Sequence, residues 1–202
     1  MPSPSRKLLG PALALSLLFL SASHASAHSD LRLGPFGAGI LHPFETLPHL
    51  LILIGLGLLL GRRPPFRLRP LLTIFAPIAA AAMLLTLADH APPMPALLTI
   101  GLALALGAVL ASGRATSAPL DLALLAISAL ILGLDSGFAN PSALVVAKVL
   151  LGNWVCLLVV IGYVAFYTSL LPPRPWARSA FRIAGSWIIA IGVLLLVLSR
   201  SY

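Results

Sequence analysis

The chain has 202 residues, 59% of them hydrophobic and 9% charged, where a soluble domain carries roughly a quarter charged residues. So few charges cannot cover a water-exposed surface, which excludes a soluble globular protein and makes the lipid bilayer the first partner. The net charge of +8 does not indicate a nucleic-acid binder, because the arginines stand between apolar runs rather than along one face of a soluble module.

In chain order, Arg6 and Lys7 form a basic start and Leu8 to Leu20 an apolar stretch too short to span comfortably. Ala25-Ser26-Ala27 then gives the small-x-small pattern that signal peptidase reads. A signal peptide is predicted over 1–27, with the mature chain, 28–202, beginning at His28; an uncleaved segment would instead add a seventh span. Six apolar segments follow, at about 39–60, 70–88, 95–111, 120–134, 143–171 and 181–198, with Pro and Gly between them. The predicted fold is all-α: a polytopic six-helix transmembrane bundle forming one domain. Cys156, the only cysteine, lies in an apolar run, cannot form an intramolecular disulfide and is expected to pack.

Charge sorts the loops. The first, third and fifth hold Arg62, Arg63, Arg67, Arg69, Arg114, Arg174, Arg178 and Arg182, whereas the second and fourth hold no Arg or Lys. Positive loops stay cytoplasmic, which puts the mature N-terminus outside, as a signal peptide also requires. The expected location is the bacterial inner membrane.

Ionisable residues within a span are costly and usually functional. The first span carries His42, Glu45 and His49 at i, i+3 and i+7, one helical face. Imidazole and carboxylate suit nickel, zinc or copper. Along a straight helix the two histidines would stand about 10.5 Å apart, too far for one ion. Either Pro48 kinks the helix against the Phe44 carbonyl, or the residues are successive stations, or His42 is an interfacial polar residue and His49 a packing one. Asp135 ends the fourth span, and Lys148 lies early in the fifth with Asn153 deeper. Lys148 either snorkels outward or forms an intramembrane ion pair with Asp135 or Glu45. Asp121, in the first turn of the fourth helix, favours the helix dipole. His28, as a new amino terminus, would offer an amine and an imidazole to a metal.

Around these residues the chain resembles the HupE/UreJ family of membrane proteins linked to nickel hydrogenases and ureases. The likeness rests on a signal peptide ending before a His, on Gly37-Ala38-Gly39-Ile40-Leu41-His42-Pro43, and on His49-Leu50-Leu51 running to Gly55-Leu56. The family's first motif, H-P-x-x-x-x-D-H, fits His42, Pro43 and His49, with Pro48 in place of the Asp. Its second, F-H-G-x-A-H-G-x-E, falls on 131–139, where Gly133 and Gly137 match, Leu132 and Ser136 replace the histidines, and Ala139 replaces the Glu.

The resemblance implies a six-span secondary permease for nickel or a related divalent cation. Capture would be by His42 and Glu45 and inward transfer past His49. The rival is an accessory or scaffold protein that keeps the fold without a complete metal path. No phosphate-cradling loop or catalytic triad is visible, so no enzymatic activity is expected. A resident cofactor is not expected either; the metal would be cargo, and any protein partner is unspecified.

Overall fold

The computed structural model describes residues 33–63, 68–87, 94–137, 142–172 and 174–199. The predicted signal peptide, His28, residues 64–67 of the first loop, residues 88–93 around the second and 138–141 of the fourth lie outside the described residues. Among the described residues are seven α-helices: α1 (Gly34–Glu45), α2 (Leu47–Gly61), α3 (Ala76–Leu85, led by a π-helical turn over Leu71–Phe75), α4 (Ala96–Ala111), α5 (Ala118–Leu134), α6 (Ala143–Ser169) and α7 (Pro175–Leu198). Each predicted apolar segment is helical.

Helices α6 and α7, of 27 and 24 residues, are each long and apolar enough to cross a membrane. Leu71–Leu85, α4 and α5 are shorter apolar helices, about 22–26 Å long at 1.5 Å per residue. The first predicted span is corrected. It is two helices, α1 and α2, meeting at an 80° bend.

Prolines cause the local irregularities. Pro77 has no N–H to offer the Thr73 carbonyl, and the helix widens into the π turn just before it. At the bend, Pro43 and Pro48 likewise withhold donors from the carbonyls four residues back. Thr46 between the two helices is extended, with φ −100° and ψ 94°. The Thr46 carbonyl then accepts from the N–H groups of His49 (2.9 Å) and Leu50 (3.3 Å), starting α2.

Helix α2 is the central element. It packs against α6, α4, α7 and α5, and Ile52, Leu53, Leu56 and Leu59 are fully buried on it. Buried residues all round its circumference fit a helix enclosed by others rather than one facing lipid. Helix α1 lies on α6 through glycine: a Cβ at Gly39 would strike the Val149 carbonyl, and one at Gly152 the Phe36 carbonyl. A similar seam joins α4 and α7 at Gly107 and Gly185. Small residues let membrane helices approach this closely. The Trp154 indole donates to the Ala76 carbonyl at 2.9 Å, fastening α6 to the start of α3.

Candidate cation site

The bend brings the two histidines together. Their ring centroids are 5.5 Å apart, edge to face, about half the axial separation on a straight helix. His42 sits in the last turn of α1, where the helix dipole favours positive charge. His49, in the first turn of α2, is 1% exposed. Glu45 is the last residue of α1, and its side chain is exposed.

Asp135 caps the C-terminus of α5. Its Oδ2 lies 2.7 Å from His49 Nε2. An ionised carboxylate can only accept, so Nε2 donates; in the neutral imidazole Nδ1 then keeps its lone pair. His49 Nδ1 and His42 Nε2 are both buried without a hydrogen-bond partner. The next residue, Ser136, is 3% exposed. It donates to the Leu132 carbonyl (2.5 Å) and accepts from Asn153 Nδ2 of α6 (2.7 Å). The cluster thus draws on α1, α2, α5 and α6.

Of the two alternatives for Lys148, the ion pair with Asp135 or Glu45 is not formed, and Glu45 is not bonded to the histidines it shares a sequence stripe with. Asp135 is occupied by His49 rather than by Lys148, and the Lys148 side chain is exposed and makes no ion pair among the described residues. The Asp135–His49 contact was not read from the sequence. Its only trace is that Asp135 is the one charged residue in the stretch aligned with the family's second motif. No group of three or more His, Cys, Asp or Glu among the described residues is arranged to hold a metal ion, so the two imidazoles need a donor of another type to complete a site.

At the far end of α2, about 20 Å away, the arginines gather. A cavity of about 360 Å³ is lined by Arg62, Arg63, Arg114 and Arg178 with Leu110 and Phe181. Asp121, predicted only to favour the helix dipole, is 5% exposed here. It pairs with Arg63 at 3.0 Å and accepts a short hydrogen bond from Thr116. Thr116 also receives Arg62 at 2.5 Å. Partial burial lowers the Arg62 pKa, and Arg63 adds to that while Asp121 opposes it.

Apolar helices of membrane length, a broken helix pair, and a buried His/Asp cluster at the break define an all-helical membrane protein with a polar site between its helices. The model of one family, HupE / UreJ protein, matches residues 15–195, and the chain belongs to that family. No curated protein and no solved structure is similar enough to count as a match.

Proposed function

We propose that the protein is a secondary permease of the bacterial inner membrane for Ni²⁺ or a related divalent cation, with six spans and its mature N-terminus outside. The observation that carries this reading is the pair of buried, unpartnered imidazole nitrogens, His42 Nε2 and His49 Nδ1, 5.5 Å apart by ring centroid. An imidazole that binds metal usually donates its other N–H to a carboxylate, which fixes the tautomer and raises the basicity of the ligating nitrogen. Asp135 stands in that relation to His49. Nitrogen donors of this kind suit nickel, zinc and copper.

The broken span supports the same reading. Transporters commonly place substrate where a helix is interrupted, because freed backbone groups and helix ends face the ion there. Exposed Glu45 would attract the cation from outside. His42 would take it into the bend and His49 hold it deeper. The arginine-rich end would face the cytoplasm.

The test is metal uptake by proteoliposomes containing the full chain. Wild-type protein should accumulate Ni²⁺, and the double variant His42→Ala/His49→Ala should not. Equal uptake by both would refute the site. That no three His, Cys, Asp or Glu side chains among the described residues are arranged to hold a metal favours a second reading, a membrane accessory protein of hydrogenase or urease maturation that moves no ion. Weak binding without any uptake would establish that one instead.

A further inference from the structure

We infer that Asn153, in the middle of α6, is a ligand in the cation site, its side-chain carbonyl completing the set begun by His42 Nε2 and His49 Nδ1. The inference rests on the cation-binding reading above and adds a residue that neither the sequence motifs nor the family match assigns.

Among the described residues, three buried side-chain nitrogen or oxygen atoms lack a hydrogen-bond partner: His42 Nε2, His49 Nδ1 and Asn153 Oδ1. They come from three helices, yet all belong to one connected cluster. Asn153 bonds Ser136, Ser136 follows Asp135 in the chain, Asp135 bonds His49, and His49 contacts His42. A second route closes the loop. Gly39, one helical turn before His42, lies against α6 so closely that a Cβ there would come within 2.9 Å of the Asn153 backbone nitrogen.

The direction of the Asn153 amide is fixed by its neighbour. Ser136 has one hydroxyl proton and gives it to the Leu132 carbonyl. Its oxygen can therefore only accept from Asn153, so the amide must present Nδ2 to it. Reversing the amide would set the carbonyl oxygen against an oxygen with no proton to give. The side chain is 1% exposed, and a buried carbonyl without a partner is costly in a membrane interior. Three such atoms in one cluster, two on imidazoles and one on a carbonyl, are unfavourable together unless a shared partner satisfies them. A divalent cation does so for all three at once. Neutral nitrogen and oxygen donors with the Asp135 carboxylate behind them make a moderate site, suited to a cargo that must also leave.

The experiment measures Ni²⁺ binding to the purified full chain in detergent by calorimetry, alongside Co²⁺ absorption spectra, for the wild type, Asn153→Leu, Asn153→Asp and His49→Ala. Elution profile and thermal midpoint monitor folding. Asn153→Leu, close in volume, should weaken Ni²⁺ binding by roughly tenfold or more, since even supporting groups of metal sites act on that scale. It should also change the Co²⁺ spectrum. Asn153→Asp keeps one oxygen donor for the cation, and its second oxygen, being charged, draws the Ser136 hydroxyl proton from the Leu132 carbonyl; it should bind at least as tightly as the wild type. Wild-type binding and an unchanged spectrum in Asn153→Leu, with binding lost in His49→Ala, would overturn the role of Asn153 and leave the histidine site standing. Equal losses in Asn153→Leu and Asn153→Asp would assign Asn153 to holding Ser136 and overturn the ligand role. Absence of binding in the wild type would overturn this inference and the permease reading together.

Discussion

His49 and Asp135 are 86 positions apart in the chain and meet at 2.7 Å, tying the broken first span to the end of α5. The contact gives α5 a chemical stake in a site whose histidines both lie elsewhere, and it sets the tautomer of the deeper one.

Replacing Asp135 with Asn should separate folding from metal chemistry. The amide oxygen can still accept from His49 Nε2, so the helices should stay together. Without the negative charge, Ni²⁺ affinity should fall by about 10–100-fold. Calorimetry on detergent-purified protein checks this, with the thermal midpoint as the folding control.

Pro48→Ala should restore a backbone donor to the first turn of α2 and favour a continuous helix across Thr46. As the bend opens, His42 and His49 move toward a separation of about 10.5 Å. Ni²⁺ binding should then be lost while far-ultraviolet circular dichroism shows helix content equal to or above the wild type. Retained binding in a straightened helix would mean that the histidines act as separate stations.

Gly39→Val and Gly152→Val should each destabilise the α1–α6 seam, since the new side chain meets backbone rather than a movable side chain. Overpacking costs about 1–3 kcal/mol and occasionally more. The thermal midpoint should drop in both. Gly101→Val should be tolerated, because nothing lies within 4 Å of a Cβ at that position.

Asp121→Asn should lower stability by about 1.5–3 kcal/mol, the range for hydrogen bonds to charged groups, by weakening the Arg63 pair and the Thr116 bond. It lies at the opposite end of α2 from the histidines, so Ni²⁺ binding should be unchanged. A denaturation series in mixed micelles combined with calorimetry tests both halves.

Cysteine labelling tests the orientation in cells. In a Cys156→Ala background, which removes the only native thiol, single cysteines in 61–69, 112–119 and 172–180 should resist a membrane-impermeant reagent. Those in 89–94 and 135–142 should react. External labelling in 61–69 would reverse the proposed orientation.

The helices were legible because six apolar runs of near-membrane length, divided by Pro and Gly, leave few alternatives. The bend was legible only as chemistry. Pro48 announces an interruption, yet the break falls at Thr46, and its 80° angle depends on α1 lying down on α6, a contact between distant segments that no local pattern encodes. His42 and His49 were visible because ionisable side chains stand out in an apolar run. Asp135 was visible too, but its nearest cation in sequence is Lys148, which is exposed and makes no ion pair among the described residues. Asp121 looked like a simple dipole partner. The Thr116 and Arg63 contacts that bury it come from the loop before α5 and the end of α2, and their convergence is a property of the packed bundle.

The broken first span also bears on how the protein is made. At 12 residues, α1 is about 18 Å long, well short of a bilayer core of about 30 Å, so it cannot insert as an independent span. Its resting place is α6, which begins at Ala143, translated on the order of ten seconds later at typical synthesis rates. Until then His42 has no docking surface, and Asp135, eight residues ahead of α6 in the chain, is made only just before it. On the permease reading, the cation path is therefore completed by the last stages of synthesis rather than the first. A nascent chain carrying only the histidine half holds no finished passage through which the membrane could leak metal.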